Sequence, residues 1–336
     1  MSWEKLKLGE VCILNYGKNL PASKRQDGSV PVYSSAGQID FHSLPHVDSE
    51  GIIIGRKGSV GKIYFSDVPF FPIDTSYYII PDEKYNLKFL YYNIQILGLE
   101  NLNSDAAVPG LNRNNAYSQL INIPPLKTQK HIADILSTYD DLIENNLKRI
   151  KLLEQAAQNI YKEWFVHLRF PGHENTPINE ETGLPVGWEI KRSDEVFKIN
   201  IGKTPPRKEP EWFSLEKGYK WVSISDMNKS SVFIQKTKER ITDTGVSRFN
   251  VKVVPKGTVL LSFKLTIGSV VIATEDMVTN EAIAHFNIDK NTSLSTEYTY
   301  CHLSCFPYKT LGSTSSIGQA LNSKIVKSIP VLLPQS

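Results

Sequence analysis

The clearest hydrophobic pattern of the chain lies in its middle. From Ile132 onward, apolar residues recur at alternating steps of four and three, which is the a/d spacing of a coiled-coil helix. This spacing predicts one long helix over 132–164, about 48 Å long at ~1.5 Å per residue, with Pro171-Gly172 stopping it. Asn146 is the one polar residue of the seam, where a polar side chain usually sets register and partner number. The seam consists of Ile132, Leu136, Tyr139, Ile143, Asn146, Ile150, Leu153, Ala157, Ile160 and Trp164.

On both sides of this helix the pattern changes to short runs of β-branched and aromatic residues, separated by Gly, Pro, Asn and Asp. Residues 76–81 and 258–263 are predicted strands, and 87–97 and 297–305 are predicted short helices. The expected fold class is α+β: two similar domains with curved, mainly antiparallel sheets, joined by one long coiled-coil-type helix.

An internal repeat relates the two β-rich regions. Residues 3–21 align without a gap with 188–206, with eight identities in nineteen positions. Between the repeated ends the copies share a glycine turn and little else. Two copies with similar ends and different middle segments would suit two domains that recognise different targets. The alternative is an old duplication that has no functional consequence. Further matches align Ile123-Pro124 with Ile329-Pro330, and Leu111-Asn112 with Leu321-Asn322.

The repeat and the helix together predict the domain boundaries. A chain of 336 residues is long enough for two domains of ordinary size. We expect a first domain at 1–124, a helical spacer at 125–170, a linker at 171–187 and a second domain at 188–336.

Composition narrows the class of protein. Hydrophobic residues make up 40% and charged residues 22%, as in soluble globular proteins, and no apolar run approaches a membrane span. Three sparse cysteines and an N-terminus without an apolar signal favour the cytoplasm. The net charge of +3 is uneven, since 188–336 carry 20 Lys+Arg against 14 Asp+Glu, which is compatible with a nucleic-acid partner.

Three segments carry a family resemblance: Ile123-Pro-Pro-Leu-Lys-Thr-Gln129 leading into the helix, Trp164-Phe165-Val166 closing it, and Gly183-Leu-Pro-Val-Gly-Trp188-Glu189 after it. Together they resemble the specificity subunit of Type I restriction-modification systems, over essentially the whole chain. That resemblance implies two target-recognition domains alternating with two helical spacers. The second spacer is absent after residue 330, so we expect a C-terminally shortened form, or a seam that pairs with another chain, including a homodimer through the central helix.

The resemblance also implies the partners. We expect the chain to bind double-stranded DNA, to read a bipartite target, and to position methyltransferase and restriction subunits. S-adenosylmethionine, ATP and Mg²⁺ are expected on those subunits, with no cofactor, metal or catalytic residue in this chain. The alternatives are the recognition subunit of a Type II-like fused restriction-methylation enzyme, and a non-catalytic scaffold that dimerises through its helix.

Motifs that resemble catalytic sites have simpler interpretations. Residues 55–62 depart from a phosphate-binding loop in spacing, and we interpret them as a glycine turn. Residues 122–125 lack the aromatic residue of a methyltransferase motif and predict a domain-to-helix junction. Residues 81–84 predict a surface turn. Cys301, His302 and Cys305 would make only half of a zinc site and predict a helix.

DNA recognition needs Lys or Arg for phosphates and guanine, and Asn or Gln for adenine. The loops rich in Gly, Pro and Ser supply such residues in both domains, where a solvated surface role is the alternative for each. The candidates are Lys18, Lys24, Arg25, Arg56, Lys57, Lys62, Asn112 and Arg113 in the first domain and Lys203, Arg207, Lys208 and Lys264 in the second.

Overall fold

The computed structural model describes residues 3–102, 110–288, 294–311 and 321–334, so parts of both predicted recognition domains lie outside the described residues. The chain divides into two compact units, Met1–Leu147 and Lys148–Ser336, and the division falls inside the long central helix. We name these unit 1 and unit 2.

Unit 1 is a β-rich unit followed by the start of the long helix. Its described strands and α-helices, in chain order, are β1 (Glu4–Lys7), α1 (Leu8–Val11), β2 (Asn15–Tyr16), β3 (Val30–Ser34), β4 (Gly37–His42), β5 (Gly51–Gly55), β6 (Ile63–Ser66), β7 (Phe71–Pro72), β8 (Ser76–Ile79), α2 (Leu87–Gln95), α3 (Arg113–Tyr117), β9 (Leu120–Ile123) and α4 (Leu126–Tyr161).

Three small sheets make up the described part of unit 1. The order β2-β8-β5-β6 is antiparallel throughout, and β4-β3-β7 contains one parallel pair, β3 with β7. The first and last strands, β1 and β9, form an antiparallel pair of their own. The buried residues of β5 and α2 pack with Ala133 of α4 in one hydrophobic core. The start of α4 is therefore part of unit 1, because it covers the core beside α2.

Unit 2 repeats this arrangement with additional elements. Its described strands and α-helices after α4 are β10 (Glu189–Arg192), α5 (Ser193–Val196), β11 (Lys198–Ile201), β12 (Phe213–Ser214), β13 (Tyr219–Val222), α6 (Ile224–Met227), β14 (Phe233–Ile234), β15 (Glu239–Ile241), α7 (Asp243–Arg248), β16 (Val259–Ser262), β17 (Val270–Ala273), β18 (Val278–Thr279), β19 (Ile283–Asn287), α8 (Thr296–Cys305), α9 (Ser323–Lys327) and β20 (Pro330–Leu333).

The sheets of unit 2 have the order β11-β19-β16-β17-β14 and β12-β15-β13-β18, and β10 pairs with β20. The parallel pair β13 with β18 corresponds to β3 with β7 in unit 1. The elements from β12 to α7 replace the single β3–β4 hairpin of unit 1, so the interiors differ in architecture as well as in sequence. The α+β class, with two mainly antiparallel units and one long helix, is confirmed.

Strand register corrects one part of the predicted repeat. Glu4 pairs with Ile123 in unit 1, and its counterpart Glu189 pairs with Leu333 in unit 2. Ile123 therefore corresponds to Leu333, and the alignment of Ile123-Pro124 with Ile329-Pro330 was wrong. The sequence match failed because an Ile-Pro pair occurs by chance a few residues before the equivalent position. The match of Leu111-Asn112 with Leu321-Asn322 agrees with this register.

The predicted local elements are confirmed; three of them are shorter than predicted, and the helix predicted at 297–305 begins one residue earlier. The strands predicted at 76–81 and 258–263 are β8 and β16, and the helices predicted at 87–97 and 297–305 are α2 and α8. Asn86 caps α2 and Ser295 caps α8, each by accepting a hydrogen bond from the backbone N–H three residues on.

The long helix differs from the prediction at both ends. It begins at Leu126, where the side chain of Gln129 bonds to the backbone at Pro124 and Asn86 and fixes the first turn. It continues past Tyr161 as a π-helical turn, Lys162–Val166, and so ends before Pro171-Gly172. Because the π turn changes the angular step, Trp164 no longer follows the heptad spacing.

A buried histidine in unit 2 has a measurable consequence. His285 on β19 is 1% exposed, and its Nε2 shares a hydrogen bond of 2.6 Å with the Thr279 hydroxyl. Burial lowers the pKa of His285 to about 4 from an ordinary value of 6.5. The unfolded chain therefore gains a proton in the interval between these two values, while the folded chain stays neutral.

We predict that unit 2 loses stability as the pH falls from about 6.5 towards 4, by about 3 kcal/mol from His285 alone. This contribution is fully present above the unfolded pKa and is lost as the pH falls towards the folded one. Urea unfolding followed by tryptophan fluorescence at about pH 7 and about pH 5 measures the loss. His285→Gln removes this titration, so an equally steep decline in that variant would contradict the assignment.

Candidate nucleic-acid interface

Four loop segments of unit 1 meet at one place, which we name the unit 1 corner. They are 17–18 after β2, 55–61 between β5 and β6, 72–75 before β8, and 110–112 before α3. Backbone hydrogen bonds join them: Lys18 N–H donates to the Pro72 carbonyl (3.0 Å), Arg56 N–H to Thr75 (2.9 Å) and Leu111 N–H to Arg56 (2.8 Å). The segment 55–61 is a tight hairpin turn, as predicted, because Gly55 N–H bonds to the Lys62 carbonyl and Gly61 N–H to Gly55.

Equivalent backbone hydrogen bonds build a unit 2 corner. Lys203 N–H donates to the Thr279 carbonyl (3.0 Å), Phe263 N–H to Ala282 (2.9 Å) and Leu321 N–H to Phe263 (2.9 Å). The pattern makes Lys18 equivalent to Lys203 and Lys57 equivalent to Lys264. Two pairs of predicted DNA-binding lysines thus occupy matching places in the two units.

The repeated glycine before each lysine is explained by packing. A Cβ atom on Gly17 would lie 2.0 Å from the carbonyl oxygen of Ile73, and one on Gly202 would lie 2.1 Å from that of Asn280. Neither glycine has a positive φ. The two positions therefore need glycine for close backbone approach, and this approach holds the following lysine at the corner.

The unit 1 corner contains a pocket of about 320 Å³ with a basic and aromatic lining. The guanidinium carbons of Arg56 and Arg113 lie 5.2 and 5.1 Å from the ring centre of Tyr16. Arg56 Nη2 also donates to the Asp74 carbonyl at 2.8 Å, which fixes its position. The described lining residues are Tyr16, Arg56, Lys57, Tyr77, Gly110, Leu111, Asn112, Arg113 and Asn114, and none of them carries a carboxylate.

Tyr16 and Tyr77 are site residues that the sequence analysis missed. Tyr77 donates its hydroxyl hydrogen to the Leu111 carbonyl at 3.1 Å, and its ring lies 5.1 Å from that of Tyr16. Burial and the neighbouring Tyr16 raise the pKa of Tyr77 to about 12, so its hydroxyl stays protonated as a donor. The available signal was the position of Tyr16 directly before the repeated Gly17-Lys18.

Asn112 has a structural role at the same pocket. It is the N-cap of α3, and its Oδ1 accepts from the Asn114 N–H at 2.8 Å. Asn322 caps α9 in unit 2 in the same way, accepting from the Ile325 N–H at 2.9 Å. The repeated Leu-Asn pair is therefore explained by a buried leucine followed by a helix cap, and of the Asn112 amide only the NH₂ group is left for a ligand.

The remaining candidates of unit 1 fall into two groups. Arg25 is largely covered and forms an ion pair with Asp40 at 2.9 Å, and the hydrogen bond from Arg25 lowers the pKa of the Asp40 carboxyl. The lysines extend into solvent without an ion pair in the described part of the chain. The exposed lysines are Lys18, Lys24, Lys57 and Lys62.

In unit 2 the candidates divide similarly. The Arg207 guanidinium lies 4.3 Å from the ring centre of Phe213 and 4.2 Å from that of Trp221, and it donates to Glu239 at 2.8 Å. The Lys203 ammonium donates to the Phe249 carbonyl at 2.8 Å. Lys208 and Lys264 are exposed.

Glu281 is an acidic member of the unit 2 corner that the sequence analysis missed. Its carboxylate accepts a hydrogen bond from Thr204. Partial burial by itself would raise the pKa of Glu281, but the Thr204 hydrogen bond, with the charges of Lys264 and Arg207, lowers it below its ordinary value. The unit 2 corner thus presents an acceptor among cations, which suits a ligand with amino groups as well as phosphates.

The residues that resemble half of a zinc site belong to a packed helix. Cys301, His302 and Cys305 lie on α8, as predicted, and the His302 ring bonds to the Tyr161 hydroxyl at 2.9 Å. Burial raises the pKa of the Cys301 thiol to about 11. Across the described ranges, no three His, Cys, Asp or Glu side chains cluster as metal ligands would.

The seam residues of α4 are exposed to solvent along most of the helix. Ile132 packs against the core of unit 1, whereas Tyr139 is 62%, Ile143 58% and Leu153 69% exposed. Toward its end the helix packs on unit 2 through Tyr161, whose ring contacts Tyr298 of α8, rather than through the seam residue Ile160. None of the helices in the described ranges combines the length and the apolarity needed to cross a membrane.

The chain belongs to the family described as the Type I restriction modification DNA specificity domain, whose model matches residues 1–155 and 185–336. It is 27% identical over 164 residues to the MjaIX Type I restriction enzyme specificity subunit of Methanocaldococcus jannaschii, covering 47% of this chain and 38% of that protein. It is 25% identical over 288 residues to the HindI specificity subunit of Haemophilus influenzae, covering 67% and 61%. These matches therefore span between 38% and 61% of the two relatives.

A solved structure agrees with the fold. The crystal structure of the Type I restriction-modification S subunit from M. genitalium superimposes with a TM-score of 0.59 at 15% identity, covering 99% of this chain and 85% of that one. At this identity the likeness shows the fold of the chain.

We predict that Gly17→Ala destabilises unit 1 by about 1–3 kcal/mol, because the new methyl group must displace the backbone at Ile73. Lys18→Ala, one residue away on an exposed side chain, is the matched control and should unfold like the parent. Hydrogen exchange of the β8 amides measures the local stability. Unchanged protection of the β8 amides in Gly17→Ala would show that Gly17 does not lie against the backbone at Ile73.

Proposed function

We propose that this chain is the DNA-recognition subunit of a Type I restriction-modification complex, and that it reads a bipartite target, one half-site per unit. The observation that carries the proposal is the pair of corners: both units build the same backbone frame and present different side chains on it. The family match covers both units and points to the same function.

The two corners suggest a division of labour in DNA binding. Exposed lysines at equivalent positions, Lys18 with Lys203 and Lys57 with Lys264, suit contacts to phosphates, which position a protein on any sequence. The side chains that differ between the corners suit contacts to base edges, which carry sequence information.

In this proposal the chain contributes recognition and its partners contribute the chemistry. Methyltransferase subunits would use S-adenosylmethionine, and restriction subunits would use ATP and Mg²⁺. The chain would position both on the target in the cytoplasm. Its own described residues supply aromatic, basic and amide side chains, which suit contacts to DNA.

We predict that the purified chain, with a methyltransferase subunit added if required for stability, enriches one class of sequence from a random double-stranded DNA library. The enriched class should contain two unlike short motifs separated by a constant number of unread base pairs. Sequencing after successive rounds of selection measures this. Enrichment of a single continuous motif, or of none, would sink the proposal.

A domain exchange tests the assignment of one half-site to each unit. Replacing 188–333, which keeps β10 and β20 together, with the equivalent segment of another family member should change one motif and leave the other, because unit 1 keeps its own corner. The same selection, carried out beside the parent chain, measures it. A hybrid that alters both motifs would contradict the assignment.

We also propose that the open face of α4 is a subunit interface. Burying one large apolar side chain contributes on the order of 1.5–3 kcal/mol, so a row of exposed ones favours association. Charge supports a second copy in the antiparallel sense. Asp140 and Asp141 precede Asn146, while Lys148 and Arg149 follow it, so antiparallel pairing brings opposite charges together. A methyltransferase subunit would cover the same face in the complex.

We predict that the isolated chain dimerises at micromolar concentration, and that Asn146→Leu tightens the dimer and permits additional oligomers, because the polar seam residue limits register. Asn145→Leu, next to it but outside the seam, is the matched control and should leave the equilibrium unchanged. Analytical ultracentrifugation of the three proteins measures it. A stable monomer that does not aggregate, with no partner present, would show that α4 needs no covering.

A further inference from the structure

The two corners differ at four equivalent positions. The strand registers place Tyr16 opposite Tyr77 in unit 1, and their counterparts Ile201 opposite Ala284 in unit 2. The same backbone bond, donated from Leu111 and from Leu321, ends on Arg56 in unit 1 and on Phe263 in unit 2. The residue after the helix-capping asparagine is Arg113 in unit 1 and Ser323 in unit 2. Unit 1 thus has two arginines and two tyrosines where unit 2 has small or apolar side chains and one serine.

Arg56 and Arg113 are held differently. Arg56 Nη2 is bound to the Asp74 carbonyl, and its Nε is buried with no hydrogen-bond partner in the described part of the chain. Arg113 lies beside the rings of Tyr16 and Tyr117, at 5.1 and 5.9 Å from their centres. The described residues offer it no carboxylate, since none lines the pocket. Arg56 is therefore fixed by the protein, whereas the donor edge of Arg113 is left for a ligand.

An arginine held beside aromatic rings suits a base better than it suits a phosphate. Its guanidinium is planar, and packing against aromatic rings limits how the plane can turn. A guanidinium held in this way presents two neighbouring N–H donors, which match the O6 and N7 acceptors of guanine in the major groove. Phosphates tolerate many donor directions, and the exposed lysines Lys18 and Lys57 at the same corner suffice for them.

We propose that Arg113 reads a guanine in the half-site of unit 1, with Arg56 and Tyr16 as positioning residues. This inference rests on the proposed function and names the base that one corner recognises. In unit 2 the same place holds Ile201, Phe263 and Ala284, whose side chains carry no donor, and Ser323 stands at the position of Arg113. Unit 2 therefore has no guanidinium at the position where we place the guanine contact of unit 1.

The experiment uses the DNA target that the parent chain selects from the random library. If the chain does not recognise DNA, the selection yields no enriched sequence, and the proposed function fails before Arg113 is tested. With that target, affinities of the parent, Arg113→Ala and Arg113→Lys are measured at two salt concentrations against every single-base substitution of the first half-site. Lys84→Ala, an exposed lysine of unit 1 away from this pocket, is the control. Melting temperatures confirm that the variants fold.

We expect Arg113→Ala to weaken binding to the target by roughly 10- to 100-fold and to remove discrimination at one guanine, while the other positions stay selective. Arg113→Lys should weaken that discrimination, because a flexible, strongly hydrated ammonium lacks the rigid planar fork of the guanidinium. Replacing that guanine with 7-deazaguanine, which removes only the N7 acceptor, should weaken the parent and leave Arg113→Ala unchanged. Tyr16→Leu should reduce discrimination at the same guanine more than at any other base.

Three outcomes overturn the proposal while the proposed function stands. One is an Arg113→Ala variant that binds and discriminates like the parent. Another is a uniform loss across all sequences with a shallower salt dependence, which identifies a phosphate contact. The third is an equal effect of 7-deazaguanine on the parent and on Arg113→Ala, which assigns the guanine to another residue.

Discussion

Hydrogen bonds between backbone atoms are the constraint on which the rest of each unit depends. In both corners, hydrogen bonds from amide N–H groups to carbonyl oxygens join the loops, and equivalent bonds recur in the two units. Such bonds keep the same geometry whatever side chain a residue carries, provided that glycine stays where two backbones touch. The backbone arrangement can therefore stay the same while the exposed side chains change. A protein family whose members recognise different target sequences needs this independence.

The sequence predicted the features that depend on repetition. The helix followed from the heptad spacing, and the duplicated frame followed from identities at the start of each unit. Other features depend on contacts between distant residues, which no local pattern reveals. The start of α4 is set by Gln129 reaching back to Pro124 and Asn86, and the contact of its last turn with unit 2 is set by Tyr161 against α8. The register of β20 likewise needed its pairing with β10.

The candidate site was predictable in part for the same reason. Lysines beside repeated glycines can be found by comparing the two copies, and the structure places them at equivalent corners. Arg56 and Arg113 were candidates by residue type alone, and only the fold brings them to one tyrosine. Sequence could not separate Arg25 from them, because its ion pair with Asp40 joins two different segments. The sequence also did not reveal that the Asn112 side chain caps α3, so that its carbonyl oxygen is already used within the protein.

The pairing of β1 with β9 has a consequence for how such a protein can change over time. Because Glu4 lies opposite Ile123, the chain enters and leaves the sheet-bearing part of unit 1 at neighbouring points, about 5 Å apart across an antiparallel pair. Parts whose termini are adjacent tolerate insertion and circular permutation. A gene segment encoding everything between these two strands can thus be exchanged by recombination at two short flanks. The pairing edge and the first turn of α4 would then be inherited intact.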